Sequence, residues 1–93
     1  MLHFETSTPI RPHSSIVFTR LDEKEGVLLY LDTKRYYSLN ETGAHLWELL
    51  EGGQCASELV QALLLTYHIT SEEAAEVVQD FVGTLQDNGL IEI

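Results

Sequence analysis

The sequence has 93 residues, 44% of them hydrophobic, and its 15 acidic residues against five basic ones give a formal net charge of −10. This length fits one small domain, and the hydrophobic content is too high for a disordered chain. A negative field repels nucleic-acid phosphate and anionic membrane surfaces, and no apolar run approaches membrane-spanning length. We therefore expect neither nucleic acid nor membrane as a partner; the charge either favours a basic partner or only keeps the domain soluble.

A single cysteine, Cys55, excludes an internal disulfide and fits a reducing compartment. No positively charged leader precedes an apolar run, so no secretory signal is predicted. These features predict a cytoplasmic protein.

The chain opens with a segment that contains both prolines, Pro9 and Pro12, among Ser, Thr and His residues. This composition predicts a flexible N-terminal arm over residues 1–14, followed by a folded domain over residues 15–93. Three runs rich in β-branched, aromatic or aliphatic residues then predict strands at residues 16–19, 27–31 and 35–39. The short connections predict an antiparallel meander with the third strand at its edge.

Three helices are predicted after the strands. Asn40 is a good N-cap for the first, which Gly52 or Gly53 would end. The second covers residues 56–67, and a capping box formed by Thr70 and Glu73 opens the third. Residues 90–93 form a short apolar tail that either packs back or pairs as a strand. Three strands followed by three short helices predict an α+β, winged-helix-like fold with a three-stranded antiparallel sheet.

No catalytic constellation is visible in the sequence. None of the four histidines has another ligand at zinc-binding spacing, Cys55 lacks a partner base, and no glycine-rich phosphate loop occurs. The carboxylates fall where solvated helix faces are expected. The sequence therefore predicts a protein that is not an enzyme, with no metal and no cofactor.

Two adjacent tyrosines stand on the predicted third strand. Side chains alternate along a strand, so one of Tyr36 and Tyr37 faces the helices and the other faces away, and the pattern leaves open which does which. Lys34 and Arg35 make this strand locally basic. Because an edge strand has unpaired backbone groups, it can accept an extended peptide as an added strand.

The order and spacing of these residues resemble the PqqD-like family of leader-peptide recognition elements. The matching elements are Leu31-Asp32, Tyr36-Tyr37-Ser38-Leu39-Asn40, Gly43, Leu46-Trp47 and Leu50-Glu51-Gly52, and more weakly Glu58-Leu59, Tyr67, Phe81, Leu85 and Gly89-Leu90-Ile91. The resemblance covers most of the chain after about residue 14. It implies the winged-helix-like fold that the pattern also predicts.

The resemblance further implies that the leader of a ribosomally made precursor binds between the third strand and the third helix, for presentation to separate maturation enzymes. The implied peptide-binding residues are Lys34, Arg35, Tyr36, Tyr37, Ser38, Val77, Val78, Asp80, Phe81 and Leu85. The run of residues 32–40 favours the stand-alone lasso-peptide type, whose partners are a leader peptidase and a cyclase.

Two alternatives stay open at this point. One is a PqqD-type peptide chaperone for a radical enzyme in pyrroloquinoline quinone synthesis. The other is a structural subunit of a peptide-modifying complex that binds no leader. A winged-helix nucleic-acid binder is rejected because residues 71–89, the predicted third helix, contain no Lys or Arg.

Overall fold

A three-stranded antiparallel sheet lies against three helices in the computed structural model, which describes residues 10–92. The elements in chain order are β1 (Arg11–Pro12), β2 (Ile16–Arg20), β3 (Gly26–Tyr30), β4 (Arg35–Leu39), α1 (Glu41–Glu51), α2 (Ala56–Thr66), α3 (Ser71–Asp87) and β5 (Ile91–Glu92). The predicted strands correspond to β2, β3 and β4, so the predicted fold class is confirmed.

The sheet has the order β2-β3-β4, which places β4 at an edge as predicted. Two short turns set its register. In the first, the Asp22 side chain accepts hydrogen bonds from the backbone N–H groups of Lys24 and Glu25, both at 2.8 Å. In the second, Lys34 adopts a φ of 63°, which ends the four-residue turn and starts β4. Tight turns of this kind keep the two hairpins in a single register.

Each helix begins at a capping residue. The Asn40 side chain accepts from the Gly43 N–H at 2.8 Å, as predicted. At α3, Glu73 accepts from the Thr70 N–H at 3.0 Å while Thr70 accepts from the Glu73 N–H at 3.1 Å, which confirms the predicted capping box. A similar bond that was not predicted from the sequence occurs at α2, where Glu58 accepts from the Cys55 N–H at 2.9 Å. Cys55 thus serves as a helix start.

The capping carboxylates predict a specific acid sensitivity. The backbone hydrogen bond from Cys55, then its side chain, holds the pKa of Glu58 below its ordinary value of 4.5, and Thr70 lowers the pKa of Glu73 in the same way. A lowered folded-state pKa means that the stabilisation is present above pH 4.5 and is lost as pH falls through the folded-state value. We expect the double variant Glu58→Gln/Glu73→Gln to lose less melting temperature than the wild type between about pH 5 and about pH 3. Equal losses of melting temperature in the two proteins over this pH range would contradict the prediction.

The core lies between the sheet and the helices. The buried side chains of the helices include Trp47 and Leu50 of α1, Leu59 of α2 and Val82 of α3. Leu28, in the central strand of the sheet, belongs to the same buried cluster. This arrangement leaves the core on one side of the sheet only.

The two ends of the described part of the chain meet in a second, two-stranded sheet. β1 pairs antiparallel with β5, with Pro12 opposite Ile91, and Ile10 is fully buried in the core. Pairing of the apolar tail at residues 91–92 agrees with the sequence analysis. Residues 10–12 are ordered and were wrongly predicted to belong to a flexible arm, because Ile10 is buried in the core and β1 pairs with β5. The rest of the arm, residues 1–9, lies outside the described residues.

Candidate functional site

Two backbone hydrogen bonds, one at each end of β3, show which of its residues bond to β2. The Leu21 N–H donates to the Glu25 carbonyl and the Leu31 N–H donates to the Ser15 carbonyl, both at 3.0 Å. In an antiparallel sheet the two backbone groups of a residue point to the same neighbouring strand, and successive residues alternate. Residues 25, 27, 29 and 31 therefore point toward β2, and residues 26, 28 and 30 point toward β4.

The outer edge of β4 follows from the register. The partners of residues 26, 28 and 30 are Leu39, Tyr37 and Arg35, whose backbone groups therefore point toward β3. Tyr36 and Ser38 lie between them and direct their backbone N–H and C=O groups away from the sheet. Within residues 10–92 no strand pairs with this side of β4. We call the outward backbone groups of Tyr36 and Ser38 the open edge; they offer two donors and two acceptors to an extended chain.

The structure resolves the orientation of the two tyrosines. Tyr37 lies opposite the fully buried Leu28 and packs against the core. Tyr36 lies opposite Leu29, and 72% of its surface is exposed. Tyr37 is thus the inward residue and Tyr36 the outward one, a choice that the sequence pattern had left open.

A groove runs beside the open edge, between the end of β4 and α3. Two adjoining hollows share Asn40, Gly43 and Phe81, and the larger has a volume of about 600 Å³. The remaining lining residues are Lys24, Glu25, Ser38 and Leu39 in the larger hollow, and Thr42, Leu46 and Val77 in the smaller one. We call this the β4–α3 groove. Phe81 is only partly buried, so its ring can contact a bound chain as well as the core.

The junction of β4 and α1 forms the floor of the groove, which the sequence analysis missed. The cap places Asn40 and Gly43 together immediately after the strand. A Cβ atom added at Gly43 would lie 3.2 Å from the Asn40 side-chain oxygen and 3.5 Å from Leu39. Glycine therefore leaves space at the base of the groove that a side chain would occupy. The available sequence signal was Gly43 itself, a residue without a side chain three positions after the predicted N-cap Asn40.

The structure brings together only some of the residues that the family resemblance implied. Ser38, Val77 and Phe81 line the groove. Ser38 does so at the sheet edge, since its side chain lies on the opposite face of β4 from that of Tyr37, which packs against the core. Val78 and Leu85 are instead buried in the core, because they lie on the inward face of α3, and neither side chain is open to the groove. The remaining four residues of the implied set are exposed and lie outside the groove lining: Lys34, Arg35 and Tyr36 on β4 and its turn, and Asp80 on α3.

Comparison with known proteins identifies the family. The sequence profile described as coenzyme PQQ synthesis protein D (PqqD) matches residues 25–91, most of the chain. The chain belongs to the PqqD family. No curated protein gives a significant match to this PqqD-family chain.

Two solved structures resemble this PqqD-family chain along most of its length. TbiB1 in complex with the TbiA(beta) leader peptide has 30% sequence identity and a TM-score of 0.83, over 88% of this chain and 94% of TbiB1. A lasso peptide synthetase B1 complexed with the leader peptide has 25% identity and a TM-score of 0.81, over 90% of this chain and 98% of its own. Both similar proteins are leader-peptide complexes.

Charge is segregated between the two layers of this PqqD-family fold. Residues 41–87, which form the helices, contain nine Asp and Glu and no Lys or Arg, whereas residues 10–40 contain five Lys and Arg and four Asp and Glu. Arg20 bridges the layers with a 2.6 Å contact to Glu48, and this hydrogen bond lowers the pKa of the Glu48 carboxyl. Lys34 and Arg35 are exposed at the start of β4, so the edge is less acidic than the helices.

No group of three or more His, Cys, Asp or Glu residues is placed to hold a metal ion in the described part of this PqqD-family chain. Within residues 10–92, no helix has the length and apolar character needed to cross a membrane. The geometry of the site is that of a binding surface: backbone donors and acceptors lie along one edge, and a groove lined by both polar and apolar residues lies beside them.

Proposed function

We propose that the protein binds the leader segment of a ribosomally synthesised precursor peptide by adding it as a strand to the open edge of β4. The observation that carries the proposal is the open edge next to the β4–α3 groove, in a chain similar to two B1 proteins in complex with leader peptides. Backbone bonds to Tyr36 and Ser38 would supply affinity, and the groove would select side chains.

The alternation of an added strand assigns its side chains to the two faces. A leader residue opposite Tyr37 lies on the same face as Tyr37 and points toward the groove, where Phe81 and Val77 provide an apolar wall. An apolar leader side chain fits this position because the nearby wall is mainly carbon. Leader residues beside Lys34 and Arg35 are favoured when acidic, since the edge carries two exposed cations there.

The partners in this proposal are the precursor leader and separate maturation chains, a leader peptidase and a cyclase of a lasso-peptide pathway. The similarity to a lasso peptide synthetase B1 supports this product class over pyrroloquinoline quinone synthesis. The protein itself would perform no chemistry, because an open strand edge beside a groove is the arrangement of a peptide-binding surface. Action in the cytoplasm stays a prediction that rests on the single cysteine.

We expect the isolated protein to bind the leader of its precursor peptide and to leave the precursor chemically unchanged. Titration of a fluorescent leader peptide measures binding, and mass spectrometry of the precursor after incubation with the protein alone measures turnover. A scrambled leader of the same composition is the control, because it keeps the charge and removes the order of side chains.

Three results would contradict parts of this proposal. Equal affinity for leader and scrambled leader would mean that binding depends on composition and charge and not on the leader sequence. Cleavage or any mass change in the precursor would indicate an enzyme. Absence of leader binding, with an intact fold, would favour the structural subunit.

A further inference from the structure

An open hollow lies in the helical layer, between the end of α1 and one face of α2. Its volume is about 510 Å³. The α2 residues that line it recur every three or four positions, which places them along one face of the helix over about 12 Å. The lining includes Leu49 of α1 and, on α2, Ser57, Glu58, Gln61, Ala62 and Leu65. We call this the α1–α2 hollow.

Carbon atoms form most of the surface of the α1–α2 hollow. Leu65 borders it and is 88% exposed, more than any other large hydrophobic side chain within residues 10–92. Leu49, at the α1 side, is half-buried against the core. A single exposed leucine is ordinary, but a leucine at the rim of an apolar hollow extends a surface that another apolar side chain can fill.

The helical layer that contains the hollow is acidic. Residues 41–87 contain nine Asp and Glu and no Lys or Arg. One of these carboxylates, that of Glu58, lies in the lining of the hollow itself. Its Oε1 accepts from the Cys55 N–H at 2.9 Å, and this bond lowers the pKa of Glu58, so the carboxylate is ionised at neutral pH. The other carboxylate oxygen can accept a hydrogen bond from a partner.

This charge selects among the possible occupants of the hollow. A second copy would bring the same acidic helices, from a chain with a net charge of −10. The first nine residues of the chain contain Glu5 and no Lys or Arg, so they do not complement the hollow either. Nucleic acid and anionic membranes are repelled. A helix with apolar side chains on one face and Lys or Arg beside them matches both the apolar surface and the charge.

We infer that the α1–α2 hollow is a docking site for a basic amphipathic helix of another protein. The apolar side chains of that helix contact Leu65 and Leu49, and a Lys or Arg beside them pairs with Glu58. Within residues 10–92 the hollow shares no lining residue with the β4–α3 groove, so both can be filled at once. The inference goes beyond leader binding and does not depend on it.

The test uses a labelled synthetic helix of Leu and Lys, with Leu on one face, and a second peptide in which Glu replaces every Lys. Both are titrated into the full chain at about 0.15 M salt. Leu65→Ser removes the exposed leucine, and Leu21→Ser is its control at an exposed leucine beyond β2. Glu58→Gln removes the charge and keeps a residue that suits a capping box. Its control is Glu73→Gln, the same change in the capping box of α3.

We expect the wild type to bind the basic peptide and not the acidic one. Leu65→Ser should weaken binding about tenfold, because the leucine anchors the contact. Glu58→Gln should weaken it about threefold, since an exposed charge pair contributes less. The two control variants should bind as the wild type does, and a saturating leader peptide should leave the affinity unchanged. Equal affinities of Leu65→Ser and Leu21→Ser, or of the two glutamine variants, would refute the site.

Other occupants give distinct results. A wild-type dimer in sedimentation that Leu65→Ser dissociates would assign the hollow to a second copy and overturn the inference. A fall in melting temperature at Leu65→Ser that Phe4→Ser reproduces would assign it to the chain's first nine residues, with the same consequence. Displacement of the basic peptide by leader would place the peptide at β4 and refute the site. Failure of the wild type to bind leader, with the peptide results as expected, would refute leader binding and support the hollow as a separate site.

Discussion

Proline at position 36 or 38 should strongly weaken leader binding while leaving the fold in place. Tyr36 and Ser38 direct their N–H groups to the open edge, so proline there deletes a donor that no strand within residues 10–92 uses. Tyr37→Pro should instead unfold the domain, because the Tyr37 N–H points toward its partner Leu28 in β3. Loss of one backbone bond and steric obstruction by the ring should weaken leader binding about tenfold or more.

Alanine at the same positions separates the backbone from the side chain. Tyr36→Ala and Ser38→Ala keep the N–H groups, so they should bind leader more tightly than the proline variants. Hydrogen exchange gives an independent measurement, since the amides of Tyr36 and Ser38 should slow on adding leader and that of Tyr37 should already be slow. Protection confined to the helices would place the leader elsewhere and refute addition to β4.

Local patterns predicted the fold because each element carries its own signal. The strands are short runs between turn residues, and side chains such as Asn40 and Thr70 mark helix starts by the bonds that they accept. The edge position of β4 followed from the order of the strands alone. Such information is local, and a single sequence contains it.

The site was less predictable because its details depend on contacts between distant residues. Whether Tyr36 or Tyr37 faces inward depends on register, and both residues are good strand formers, so the pattern could not decide. Helix α3 has more apolar residues than one stripe needs. Only packing against the other helices shows that Val78 and Leu85 belong to the core while Val77 lines the groove.

The pairing of β1 with β5 is the clearest case of information missing from the local sequence. A two-residue strand such as β1 has no periodicity to detect, and Pro12 argues against a strand by propensity. It is tolerated because β1 pairs with β5 alone among the strands of residues 10–92, and a proline at a sheet edge loses little. The burial of Ile10 depends on the tail, about eighty residues later in the chain.

Phe81→Ala should reduce stability moderately and leader affinity strongly. Removing a fully buried phenylalanine side chain costs about 3–5 kcal/mol, and the partial burial of Phe81 should bring the loss to about half of that. Its ring is shared by both hollows of the β4–α3 groove, so its removal should weaken leader binding about tenfold or more. Val82→Ala is the matched control, because Val82 is the next residue of α3 and is fully buried. It should lower the melting temperature without a comparable loss of affinity. Denaturant melts and leader titrations measure the two effects, and equal affinities for the Phe81 and Val82 variants would assign Phe81 to the core alone.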